Sequence, residues 1–148
     1  MIRNLRALSQ IAIDSRRSPR ARQELISKRL KRVLCHAYQH TDFYRERMDA
    51  AGFRPARDYV DPSALRALPI TTKADLKTTE KRKLICHGEM DNLSNYFHDH
   101  TSGTTGIPIE VHRNERERAI QMAKWMWVLI QNGYRPTHRV YSFTSAAR

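Results

Sequence analysis

The sequence has few acidic residues, few cysteines and no long apolar run. Among 148 residues, 15 Asp and Glu stand against 27 Lys and Arg, a formal net charge of +12. Twelve of the basic residues lie between Arg3 and Arg47. Such a balance admits nucleic acid, an anionic membrane or a polyphosphate as partner, and equally a solvated helix face. No RNA-recognition, helix-turn-helix or zinc-finger signature accompanies the charge, so nucleic acid is not the expected partner. Cys35 and Cys86 are the only cysteines. Two lone cysteines exclude a disulfide framework and suit a reducing compartment. No stretch is long and apolar enough to cross a bilayer. The opening Met1-Ile2-Arg3-Asn4-Leu5-Arg6 has no apolar run of signal-peptide length. The expectation is a soluble, cytoplasmic protein with no membrane partner. There is no internal repeat and no low-complexity tract.

The chain has the length of one ordinary domain, and 40% of it is hydrophobic, enough for a modest core. Residues 1–22 are poorly patterned. Ile2, Leu5 and Leu8 predict only a short helical face, broken by Ser15-Arg16-Arg17-Ser18-Pro19. From Gln23, the apolar residues Ile26, Leu30, Val33, Leu34 and Ala37 recur at three- and four-residue spacing, which predicts an amphipathic helix. Thr41-Asp42 caps a second helix, Phe43 to Ala51, stopped by Gly52. Tyr38, Phe43 and Tyr44 are expected to wedge between the two. Asp61-Pro62 starts a short helix to Ala67, and Thr71 or Thr72 caps another carrying Lys73 to Leu76. Residues 23–93 therefore read as a helical region.

From Ser94 the period changes. Tyr96 to His100 predicts a strand, and alternation through Ile109 and Val111 predicts a second. Asn114 with Glu117 predicts a capping box for a helix from Glu115 to Gln131, closed by Asn132-Gly133. Trp125 to Ile130 is apolar all round and predicts burial between other elements. Arg139 to Thr144 predicts a further strand.

Between the first two strands lies the most biased stretch, Thr101-Ser102-Gly103-Thr104-Thr105-Gly106, with Pro108 close behind. Gly103 and Gly106 can take positive φ, letting backbone N–H groups converge on one point. The four hydroxyls add uncharged donors. Phosphate oxygens suit such a concavity. An ordinary Gly/Ser/Thr hairpin turn has the same composition. The Walker pattern fails, because no Lys-Ser/Thr pair follows the last glycine, and the G-x-G-x-x-G pattern fails as well.

Thr101 to Gly106 followed by Pro108 resembles the phosphate-loop signature of the adenylate-forming enzymes. Leu34 to Arg45 (LCHAYQHTDFYR) and Leu68 to Leu76 (LPITTKADL) are similar to segments of the phenylacetate-CoA ligase branch and its capsule-biosynthesis relatives. The resemblance implies an α/β fold, with the helical region 23–93 followed, over 94–148, by the start of a large mixed sheet carrying the Gly/Thr phosphate loop. It implies a ligase reaction: a small-molecule carboxylic acid attacks MgATP to give an acyl-adenylate, and coenzyme A then displaces AMP. Thr101, Ser102, Gly103, Thr104, Thr105 and Gly106 would hold the β- and γ-phosphates. ATP, Mg2+ and coenzyme A are the implied cofactors. Relatives often carry a lysine beside the loop's proline; here Ile107 and Ile109 stand there, with His112 or Arg113 the nearest substitutes. The family's later nucleotide-binding and catalytic elements are not among these residues. The chain accordingly reads as the N-terminal piece of a ligase, with no catalytic residue of its own and no activity expected in isolation. The alternative is a non-enzymatic basic fragment that binds nucleic acid or an acidic partner.

Two further groupings were weighed. Cys86-His87 with His98 and His100 matches no usual zinc spacing, so no metal site is expected. Cys35 and His36 are neighbours on a helix and point about 100° apart, a poor geometry for a nucleophile and its base.

Overall fold

The computed structural model describes residues 2–100, 109–135 and 137–139, with side chains from Leu5 onward. Seven α-helices, two short 3-10 turns and two strands follow one another in these residues. The predicted strand at 139–144 falls, from residue 140, outside the described residues.

Helix α1 (Ile2–Ser15) is longer than the short face its pattern predicts. Helix α2 (Pro19–His40) starts four residues earlier than its apolar stripe suggests. The Ser18 hydroxyl accepts the Ala21 N–H, and Pro19 at the first helical position needs no donor of its own. The helix ends where Thr41 turns extended and folds its Oγ1 back onto the Ala37 carbonyl at 2.6 Å. Helix α3 (Asp42–Ala50) follows at once. Gly52, at φ 65°, gives its N–H to Asp49 and lets Phe53 reach the Met48 carbonyl, both at 2.9 Å. That pair of bonds is a Schellman closure, and it delivers Phe53 to the core.

The main core is small. Leu34, Met48, Phe53 and Tyr59 are buried, with Leu30, Tyr38, Tyr44, Leu65 and Leu68 packed around them. The predicted aromatic wedge is present: Phe43 is buried, and its ring meets Tyr44 edge-on at 5.1 Å. The predicted apolar stripe on α2 is only partly used. Leu30 and Leu34 face the core, whereas Ile26 and Val33 are exposed, Val33 at 61%. The core side of α2 is covered by α3, α4 (Pro55–Asp58) and the 3-10 turn Pro62–Ala67.

Helix α5 (Lys73–Thr78) begins with a capping box between Thr72 and Asp75. Helix α6 (Lys81–Leu84) and a 3-10 turn (Met90–Asn95) lead into strand β1 (Phe97–His100). Strand β2 (Glu110–Arg113) pairs with β1 antiparallel, in the register Phe97↔Arg113, His98↔His112, Asp99↔Val111 and His100↔Glu110. Among the described residues this two-stranded ribbon is the only sheet. The described chain is thus mainly helical, and the large mixed sheet of the sequence expectation is not part of it.

Helix α7 (Glu115–Gln131) opens on the predicted capping box, Asn114 with Glu117, and closes through Gly133 at φ 86°. It packs along α1. The predicted burial of Trp125 to Ile130 on every side is not found: Trp125 is 62% exposed, and Val128 and Ile130 are exposed too. The reason is coverage. Helix α1 packs along α7, with Leu5, Leu8, Ala12, Trp127 and Ile130 lining a cleft between them, and β2 meets α7 as well, yet these neighbours leave Trp125 and Val128 exposed.

Candidate functional site

The six predicted phosphate-loop residues, Thr101, Ser102, Gly103, Thr104, Thr105 and Gly106, lie outside the described residues. Their flanks are defined. His100 ends β1, Glu110 begins β2, and the two are register partners. The stretch 101–109 is therefore the connection of an antiparallel hairpin whose two ends are paired.

Alternation along the strands gives this hairpin two unlike faces. Phe97, Asp99, Val111 and Arg113 share one face. There Arg113 pairs with Asp99, and the Arg118 guanidinium lies 4.0 Å from the centre of the Phe97 ring. The other face carries His98, His100, Glu110 and His112. Each oxygen of Glu110 has its own partners on that face. Oε1 accepts from His98 Nδ1 at 2.9 Å. Oε2 meets Lys81 Nζ at 3.1 Å and His112 Nε2 at 3.5 Å. The His98 and His112 rings stand edge to face, centres 4.6 Å apart. The hydrogen bond from His98, then that from Lys81, pulls the Glu110 carboxyl down to about 2. Burial pushes the His112 imidazole below its ordinary range, toward the neutral form. Its side chain is 7% exposed.

A cleft of about 510 Å3 runs beneath the hairpin, lined by Tyr44, Leu76, Lys77, Lys81, Ile109 and His112 among others. Its cations come from α5 and α6. The two substitutes suggested by sequence do not fill the role of a loop lysine. His112 is buried against Glu110, and Arg113 is on the opposite face, paired with Asp99 at the end of the ribbon remote from the loop. Lys81 pairs with Glu110, the first residue of β2, and sequence reasoning missed that contact. The lysine sits 29 residues from Glu110 in a run of basic residues, and no local pattern sets it apart.

The histidine–glutamate grouping was also missed, although a signal existed. His98 and His100 before the loop mirror Glu110 and His112 after it, so any hairpin closed symmetrically about residue 105 brings all four to one face. The alternative grouping with Cys86 and His87 does not assemble. His87 pairs with Asp42 at 3.0 Å, and Cys86 Sγ lies 3.6 Å from His36 Nε2. The cysteine near His36 is therefore Cys86, and not its neighbour Cys35. Burial, and then the charge of Glu89, push the Cys86 thiol up, away from the thiolate a nucleophile needs.

Compared with known proteins, the chain matches no family model. A stretch of 55 residues is 47% identical to the phenylacetate-coenzyme A ligase of Escherichia coli strain K12. That stretch is 37% of this chain and 12% of the ligase's length. Part of the chain is therefore related to part of that enzyme. No helix among the described residues is long and apolar enough to cross a membrane.

Proposed function

We propose that the chain supplies the phosphate-holding front part of an ATP-dependent acid–CoA ligase. The observation that carries this reading is the 47% identity to a phenylacetate-coenzyme A ligase over 55 residues. A Gly/Thr loop strung between paired strand ends is consistent with it. Thr101 to Gly106 would close around the β- and γ-phosphates of ATP, offering backbone N–H groups and hydroxyls preset for the charge that builds on departing pyrophosphate. The surroundings suit a polyanion. Lys77 and Lys81 line the cleft under the hairpin, and Glu110, at the start of β2, is already matched by Lys81 and His98. The complete reaction belongs to the whole ligase of this kind. A small carboxylic acid displaces pyrophosphate from ATP, and the coenzyme A thiol then displaces AMP. Mg2+ and coenzyme A enter through the resemblance, and no described residue is assigned to either.

Gly103→Val tests the reading. A valine side chain at a loop glycine blocks positive φ and fills the concavity. Calorimetric titration of the 148-residue chain with ATP should give a saturable signal that Gly103→Val abolishes. Equal ATP binding by both proteins contradicts the loop assignment.

A further inference from the structure

We propose that His98, Glu110 and His112 form a binding site for a divalent transition-metal ion of the zinc class at the base of the hairpin. One donor atom from each of the three residues falls within 4.8 Å of the others. Glu110 lies 2.9 Å from the His98 nitrogen and 3.5 Å from the His112 nitrogen. Each of these contacts, made through a different carboxylate oxygen, is close to the ligand–ligand edge of roughly 3.3 Å that follows from zinc bonded at about 2.0–2.1 Å to nitrogen and oxygen in a tetrahedron. Small side-chain adjustments are enough to bring all three onto one ion.

The backbone prepares this arrangement. His98 and His112 are direct register partners, and Glu110 is two residues from His112 on the same face. Three donors on two hydrogen-bonded strands are held without a long search through loop conformations. His100, the register partner of Glu110, shares that face and is next in line as a fourth donor.

Burial fixes the His112 donor in place. The His112 side chain is more than nine-tenths buried, and its Nδ1 has no hydrogen-bond partner. Among the described residues its polar partner is the carboxylate of this cluster, met through Nε2. The nitrogen that faces the carboxylate is Nε2, at 3.5 Å, and it is this atom that would ligate; the unpaired Nδ1 is the ring's other nitrogen and is not completed by the ion.

Two imidazoles and one carboxylate select among metals. Nitrogen donors favour Zn2+, Co2+, Ni2+ and Cu2+ over Mg2+ and Ca2+, which prefer oxygen. The site is therefore distinct from any Mg2+ that accompanies ATP, and it does not depend on the assignment of residues 101–106. Bound metal would pin β1 to β2 next to the ends of the loop. Lys81 is the competitor. Its ammonium sits on Glu110 Oε2, with a side chain 49% exposed and long enough to swing into solvent.

The experiment is a Co2+ titration of the 148-residue chain, followed by its visible d–d absorption and by competition with Zn2+. The expected result is one ion per chain. His98→Gln, at a side chain 44% exposed, should weaken binding at least tenfold, the least expected when a residue supporting a metal site is lost. Lys81→Met should tighten binding by freeing Glu110. Cys86→Ser and His87→Gln, outside the cluster, should leave it unchanged. Far-UV circular dichroism establishes that each variant is folded. Absence of saturable binding, binding that survives His98→Gln, or binding lost in Cys86→Ser would each overturn the proposal.

Discussion

The Asp75 carboxylate accepts the Thr72 backbone N–H at 2.8 Å, while the Thr72 hydroxyl accepts the Asp75 N–H at 3.1 Å. The box closes the first turn of α5, a helix too short to hold itself. The backbone hydrogen bond from Thr72, then that of its side chain, lowers the Asp75 carboxyl below the ordinary value of 3.8. A carboxyl whose pKa falls on folding contributes stability that is present above its unfolded value and is lost as pH drops through the folded one. Amide exchange in α5 should therefore accelerate as pH falls below about 4, relative to intrinsic rates. In Asp75→Asn that acid-induced loss should vanish; an unchanged pH profile contradicts the assignment. Thr72→Ala should cost about 1 kcal/mol of local stability, read from the same exchange experiment. Capping was legible where the cap is set by residues three apart, but Thr41, expected to cap α3, gives that helix no side-chain bond and turns its hydroxyl to the Ala37 carbonyl. Asn114 with Glu117 appears where its spacing places it, and of the two candidates Thr71 and Thr72 it is Thr72 that caps α5, with Asp75 completing a box the sequence reading did not name.

Helices were legible as elements, but their buried faces were not. On α2 the residues Ile26, Leu30, Val33, Leu34 and Ala37 span a wide apolar arc. Which part of it is buried depends on segments far along the chain. Ser27 reaches Tyr59 at 3.2 Å, and Lys31 donates to the Tyr59 carbonyl at 3.2 Å, so Tyr59 decides the face. No local period contains that information. The energetic consequence is measurable by chemical denaturation. Met48→Ala, at a side chain 3% exposed, should cost about 2–5 kcal/mol, whereas Val33→Ala should stay within about 0.5 kcal/mol. Comparable losses at the two positions contradict the described core. Helix α7 repeats the lesson. Its apolar run predicts burial all round, yet Ala123 is 2% exposed while Trp125, two residues on, faces outward. Ala123→Leu should destabilise by about 1–3 kcal/mol through overpacking, and Trp125→Gln should fall within about 0.5 kcal/mol.

Across the whole molecule, the charge of +12 and the Gly/Thr loop make different demands on a partner. Attraction of a basic surface to nucleic acid arises from counterion release and falls steeply as salt rises. A loop that wraps phosphate acts at one place and through hydrogen bonds. The helical frame and the hairpin could be read ahead of the structure, because caps, glycines and alternation are local. The cleft and the grouping of Lys81 with Glu110 could not, because they join segments 29 residues apart. The most direct measurement of the ligase reading is a residue-resolved NMR titration of the 148-residue chain with ATP at physiological salt. The account predicts saturable shifts concentrated at Thr101 to Gly106 and on the Lys81 side of the cleft, and absent in Gly103→Val. Shifts confined to the basic face of α2 and erased by added salt, or no shifts at all, would contradict it.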